Sequence, residues 1–251
     1  AADELGCLHE VTVIAAGLSA QDPRERPADK TDEADAAHAR FTDPRSDFLS
    51  WVHLWEHIRA GRRELSSNQF RKRCQAEFLN HLRIREWQDL AAQLRQLGDE
   101  LGLTRNEPRP RDSAQEMTKE LGQRIHQAML TGLLSQIGLA QEPPKDPKTG
   151  KPRKRALVEY EGSRGARFAI WPGSTLARRP PTMVMAAELV ETSRLWARTV
   201  AGVDPAWVEE AAGELVTRTH SEPRWSKRRG TAVATERVSL FGVPLAMDRT
   251  V

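Results

Sequence analysis

Gly162-Ser163-Arg164-Gly165-Ala166-Arg167-Phe168-Ala169-Ile170-Trp171-Pro172-Gly173-Ser174 decides how the second half of this 251-residue chain is read. Arginines are interspersed with apolar residues through this stretch, and the apolar run Ala166–Trp171, interrupted by Arg167 alone and bounded by Gly and Pro, reads as a short strand. Leu157–Tyr160, Thr182–Leu189 and Leu195–Val203 repeat such short runs between Gly, Pro and Ser, the rhythm of a small β-barrel. Asp204-Pro205 offers an N-cap followed by proline at the first helical position, so Ala206–Leu215 is expected as one helix interrupting the strands. Val233–Val243 then returns to β.

Upstream the period changes to that of a helix. Apolar residues recur at helical spacing from Leu5 to Leu18 and from Phe48 to Ile58, where Trp51, Leu54, Trp55 and Ile58 share one face. Gln21–Arg45, rich in Pro, Asp, Arg and Ala, reads as a long connection holding a short helix near Asp32–Arg40. Ser66 and Gln69 have the spacing of a capping box, which predicts the start of a long helix that bends or breaks near Arg83–Glu86. A further amphipathic helix is expected over Ile125–Ile137, with Gly138 as its left-handed C-terminal cap. Pro143–Arg155 carries four prolines among its lysines and arginines and has almost nothing to bury. The expected fold is therefore α+β and multidomain. A helical domain spans 1–138, a basic linker 139–156, and a β-barrel with an inserted helix 157–251, which ends in the start of a further region.

Composition narrows the class. The chain is 39% hydrophobic and 29% charged, and it has no apolar run near the ~18 residues that cross a bilayer, so no membrane partner is expected. A net charge of +3 permits a polyanionic partner without demanding one, which leaves the argument to local clusters. Cys7 and Cys74 make neither a metal spacing nor a disulfide framework and fit a reducing, cytoplasmic compartment. No signal-peptide pattern precedes Ala1, and the chain reads as cut from something longer.

Several stretches carry a family resemblance. Phe78-Leu79-Asn80-His81-Leu82-Arg83-Ile84-Arg85-Glu86-Trp87-Gln88-Asp89, Ser46-Asp47-Phe48-Leu49, Ile125–Leu134, Glu188–Arg198 and Pro205-Ala206-Trp207-Val208-Glu209 resemble the region beyond the motor domains in bacterial HrpA-type DEAH-box RNA helicases. The resemblance covers nearly the whole chain. It implies a helical ratchet-like domain followed by an oligonucleotide-binding (OB) fold, which together form part of a single-stranded RNA channel. ATP and Mg would be cofactors of the parent helicase and not of this segment. The implied partners are single-stranded RNA, the motor domains of the same parent chain, and the ribosome or mRNA. The alternative is a protein-docking platform that recruits activator or ribosomal partners, which an exposed apolar barrel patch without a basic groove would favour. No GxxxxGK[ST] phosphate loop and no Asp-Glu-Ala-His occurs, so no catalytic residue is expected and the segment alone should not hydrolyse ATP.

The candidate RNA-binding residues are Asn68, Arg71, Arg83 and Arg85 on the helical side and Arg164, Arg167, Arg178 and Arg179 at predicted strand ends. Guanidinium groups there would meet phosphates. Arg83 can equally pair with Glu86 or Glu77, and Phe168 and Trp171 read first as core aromatics, with base stacking as their alternative role. The runs Lys151–Arg155 and Lys227-Arg228-Arg229 are further candidates for phosphate contact. His53-Leu54-Trp55-Glu56-His57 matches the H-x-x-E-H pattern of zinc peptidases, but no third ligand is identifiable and both histidines should face outward, so no metal is expected. His126 and His220 have no evident partner and read as structural or solvated.

Overall fold

The computed structural model describes residues 1–103, 118–142, 157–226 and 230–250. Two compact units, Ala1–Met129 and Leu130–Val251, divide the chain.

The first unit is helical. It contains α1 (Leu8–Ser19), α2 (Thr31–His38), α3 (Asp47–Glu64), α4 (Ser67–Ala76) and α5 (His81–Glu100), and α6 (Lys119–Leu133) begins within it. The Ser46 side chain caps α3 by accepting from the N–H groups of Phe48 and Leu49. Trp51, Leu54, Trp55 and Ile58 are buried, as their spacing requires. Trp87 of α5 meets Trp51 and Trp55 edge-on at centroid distances of 5.2 and 4.9 Å. Its indole N–H donates to the Val13 carbonyl at 2.9 Å, which ties α5 to α1.

The predicted capping box is present: Ser66 accepts from the Gln69 N–H while the Gln69 side chain accepts from the Ser66 N–H. The helix it starts, however, ends at Ala76, so the break lies before the bend or break expected at Arg83–Glu86. Phe78 takes φ of 54°, a left-handed value no helix interior permits, and Asn80 caps a new helix through the N–H groups of Leu82 and Arg83. The connection before α2 is stitched to this break by Glu25 N–H to Phe78 O at 2.8 Å and Asn80 N–H to Pro23 O at 2.7 Å.

The second unit holds a closed five-stranded barrel. Its strands β1 (Ile137–Ala140), β2 (Glu159–Gly162), β3 (Arg167–Ile170), β4 (Met183–Glu191) and β5 (Leu195–Gly202) run in the spatial order β1-β2-β3-β5-β4, and β1 pairs with β4 to close it. Only the β3–β5 pairing is parallel. Tyr160, Phe168, Ile170, Val184, Ala186, Ala197 and Val200 fill the interior. Asp204 caps α7 (Pro205–Ala212), shorter than expected, with proline at its start. Beyond it β6 (Thr217–Ser226), β7 (Thr231–Leu240) and β8 (Val243–Thr250) form a separate antiparallel sheet. Arg249 joins that sheet to α7 by binding both Glu236 and Glu209.

The domain boundary expected at 139–156 is displaced. Ile137–Ala140 is a barrel strand, so the barrel starts well before Leu157, and Pro143–Arg155 falls between β1 and β2, outside the described residues. Gly138 is likewise no helix cap. It pairs with Gly162 and Val184, and a Cβ there would stand 2.4 Å from Cζ of Phe168. Glycine is needed because a core ring lies directly on the strand.

Candidate nucleic-acid interface

On the helical unit, the end of α3, the first turns of α4 and the start of α5 carry a cationic cluster. Asn68, Arg71 and Arg85 are exposed. The His81 imidazole is pushed below its ordinary pKa by burial and by the charges of Arg62, Arg85 and Arg71, which brings two predicted residues and two unpredicted ones to one place. Arg62 lies over the Phe70 ring at 4.9 Å and donates to the Gln88 side chain at 3.1 Å. Phe70 in turn meets the His81 ring at 5.9 Å. Arg83, on the same helix, points elsewhere. Its guanidinium donates to the Asp22 carbonyl at 3.0 Å and pairs with neither Glu86 nor Glu77.

Glu77 is occupied by other groups: His57 Nε2 donates to it at 2.7 Å, Arg40 at 3.0 Å and Arg73 at 3.2 Å. Burial works to raise its pKa, and the bonds from His57 and Arg73 hold it below the usual carboxylate range. His53 faces a different acid, Asp43, at 3.8 Å. The two histidines of the H-x-x-E-H pattern therefore do not point freely outward; each is partly buried against its own carboxylate. Among the described residues, no group of three or more His, Cys, Asp or Glu side chains is placed to hold a metal.

On the barrel, Arg164 and Arg167 sit at one end of β3 and Arg178 and Arg179 follow its other end, all four exposed. They do not form one cluster, because a strand of this length separates its ends by ~10 Å. Arg164 has φ of 58°, and its N–H donates to the Phe241 carbonyl at 2.8 Å, which fixes the β2–β3 turn against the β7–β8 turn. The two basic runs, Lys151–Arg155 and Lys227–Arg229, lie outside the described residues, apart from the strand ends that flank them.

Between the ends of β3 the barrel's outer face carries a feature that sequence periodicity missed. Phe168 is buried and stacks on Tyr160 in the core, whereas Trp171 is 37% exposed. Trp171 meets Trp196 of β5 edge to face at 5.6 Å. Arg198 lies over Trp171 at 4.9 Å and Arg194 over Trp196 at 5.6 Å. A Cβ on Gly173 would come within 2.9 Å of the Trp171 indole nitrogen, so glycine there lets the ring lie down. The carboxylates nearest these arginines are at the limit of ion pairing, Glu159 at 3.8 Å from Arg194 and Glu188 at 4.0 Å from Arg198.

Comparison with known proteins agrees with this division. Residues 1–99 match the family described as helicase associated domain (HA2), ratchet-like, and residues 125–215 match the oligonucleotide/oligosaccharide-binding (OB)-fold family. The chain thus joins a ratchet-like helicase associated region to an OB-fold region, and over its length it is similar to HrpA RNA helicases. It is 46% identical over 250 residues to the ATP-dependent RNA helicase HrpA of Escherichia coli (strain K12), covering 100% of this chain and 18% of that protein. The HrpA homolog of Haemophilus influenzae is 44% identical over 246 residues, 98% of this chain and 17% of that protein. At greater distance, the pre-mRNA-splicing factor ATP-dependent RNA helicase prp22 of Schizosaccharomyces pombe is 27% identical over 209 residues, 83% of this chain and 16% of that protein. The chain therefore spans under a fifth of each of these three relatives. No helix among the described residues is long and apolar enough to cross a membrane.

Proposed function

We propose that this chain is the RNA-binding segment of an ATP-dependent DEAH-box RNA helicase and forms part of its single-stranded RNA channel. The observation that carries the reading is a closed OB-type barrel with exposed Arg164 and Arg167 at one end of β3, in a chain 46% identical throughout to an RNA helicase. Phosphates are bound by Arg164, Arg167, Arg178 and Arg179 on the barrel and by Asn68, Arg71 and Arg85 on the helical unit. Arg83 joins them through the donors left after its bond to Asp22. The motor domains, ATP and Mg belong to the parent protein, which works in the cytoplasm with the ribosome or mRNA as its partner. This segment contributes binding and no phosphoryl chemistry, since its sequence lacks a phosphate loop. The protein-docking alternative calls for an apolar patch free of basic residues. The exposed aromatic pair is instead flanked by Arg194 and Arg198, which favours RNA.

The test compares ATP hydrolysis by the parent protein, with and without RNA, when Arg164 and Arg167 are both replaced by Ala. Basal hydrolysis should persist, and the RNA concentration giving half-maximal stimulation should rise several-fold. Stimulation identical to the parent's would contradict the reading.

A further inference from the structure

We infer that Trp171 and Trp196 form a base-stacking platform on the outer face of the barrel, with Arg194 and Arg198 as its flanking cations, and that its occupant is single-stranded RNA. The inference rests on the RNA-binding reading above and names the surface that takes the bases. The two indoles stand edge to face at 5.6 Å, and Trp171 remains 37% exposed beside its partner. Trp196 projects outward from β5 beside the inward Ala197, opposite Val190 of β4 and beside the small Ala169 of β3.

The arginines supply the second half of the argument. Among the described residues, neither the Arg194 nor the Arg198 guanidinium donates a hydrogen bond. Each lies over an indole, and its nearest carboxylate is at 3.8 or 4.0 Å. A planar cation on an aromatic face, with its donors unspent, suits a ligand that carries both a π-system and an anion, which describes a nucleotide. A duplex would not suit the surface, because its bases are already stacked on one another and show only their edges in the grooves.

Glu159 and Glu188 on the same face nearly cancel the two positive charges, so the platform attracts the RNA backbone weakly as a whole. Stacking must then supply most of its affinity. This separates it from the strand-end arginines: loss of a phosphate contact flattens the salt dependence of binding, whereas loss of a stacking ring lowers affinity at every salt concentration with the slope unchanged.

The experiment titrates the 251-residue chain with single-stranded oligouridylate and with a blunt RNA duplex at several salt concentrations, and follows both bound fraction and tryptophan fluorescence. The variants are Trp171→Ala, Trp196→Ala, their Phe counterparts, and the Arg164→Ala/Arg167→Ala pair. Each Trp→Ala change should weaken single-strand binding by roughly 5- to 100-fold with an unchanged salt slope, Phe should restore part of it, and Trp171→Ala should reduce the fluorescence quenching. Melting temperatures of the variants separate a lost stack from a lost fold, and the exposed Trp171 is the cleaner position. If both Trp→Ala variants bind like the parent while the arginine pair flattens the slope, the platform is wrong and the RNA-binding reading stands. If the chain binds no single strand, or binds duplex as well as single strand with no quenching, the platform is overturned too. In the first of these cases the RNA-binding reading of the chain fails with it.

Discussion

Arg83 donates to the backbone carbonyl of Asp22 at 3.0 Å, across 61 residues of sequence, while Arg85 two positions along stays exposed. Of these neighbouring arginines, Arg83 thus braces the fold in addition to its proposed phosphate contact, whereas Arg85 is proposed for the phosphate contact alone. Arg83→Ala should cost about 1 kcal/mol of stability, the usual net value of such a bond. Arg85→Ala should leave the melting temperature unchanged and weaken RNA binding by about 0.5–1.5 kcal/mol. Thermal melts beside binding isotherms check both, and equal melting temperatures for the two variants would refute the division.

His126 carries a second prediction. It is 7% exposed, its Nε2 has no partner, and burial pushes its pKa from 6.5 down to about 4, with Asp43 acting to raise it and Arg45 to lower it. The unfolded histidine binds a proton below about pH 6.5 and the folded one does not until about pH 4. Stability is therefore intact above pH 6.5 and falls as the pH drops through this window, by up to about 3 kcal/mol. Denaturant midpoints from pH 7 to 4 should show this fall, and His126→Leu should flatten it. An unchanged pH dependence in the variant would remove His126 as the cause.

His81 leads to the opposite expectation for binding. Its pKa is lowered by burial, Arg62, Arg85 and Arg71. A phosphate drawn to those arginines would raise it again, so RNA binding takes up a proton and tightens as the pH falls below neutrality. His81→Asn should abolish that steepening while keeping the affinity at pH 8. Binding isotherms in buffers of equal ionic strength decide it.

Gly138 tests whether β1 belongs to the barrel. With Phe168 Cζ 2.4 Å from the site of its missing Cβ, Gly138→Ala should destabilise the second unit by about 1–3 kcal/mol. Phe168→Leu in the same chain should relieve part of that cost. A neutral Gly138→Ala would mean that the strand does not pack on the ring.

Local signals in this sequence were legible. The Ser66 and Gln69 box and the Asp204-Pro205 start act within a few residues, and the structure follows them; β3 and β4 also form where short apolar runs lie between Gly, Pro and Ser, though each buries several residues in a row and does not alternate. In the four-residue β1, Ile137 reads as the end of a helix, Gly138 as its cap and residues 139–140 as linker, because the strand follows a helical turn at Leu134–Gln136 and glycine serves a helix cap as readily as a close contact. The helix break has a visible signal in Asn80, a good N-cap ahead of Ile84, but the left-handed Phe78 is held by tertiary bonds, from Glu25 N–H to its own carbonyl and from Asn80 N–H to the Pro23 carbonyl. The surfaces proposed for RNA were the least legible. Trp171 meets Trp196 only because β3 and β5 pair in parallel, and His81 meets Arg62 only because α3 and α5 pack, and no periodicity records either event.

The measurement that bears most directly on RNA binding by this chain is the slope of log affinity against log salt for single-stranded RNA, compared between the chain and its Arg164→Ala/Arg167→Ala variant. Two lost phosphate contacts should flatten the slope by about 1.4, near 0.7 for each on a single strand, with the melting temperature unchanged. A variant whose slope and low-salt affinity both equal the parent's would contradict the account.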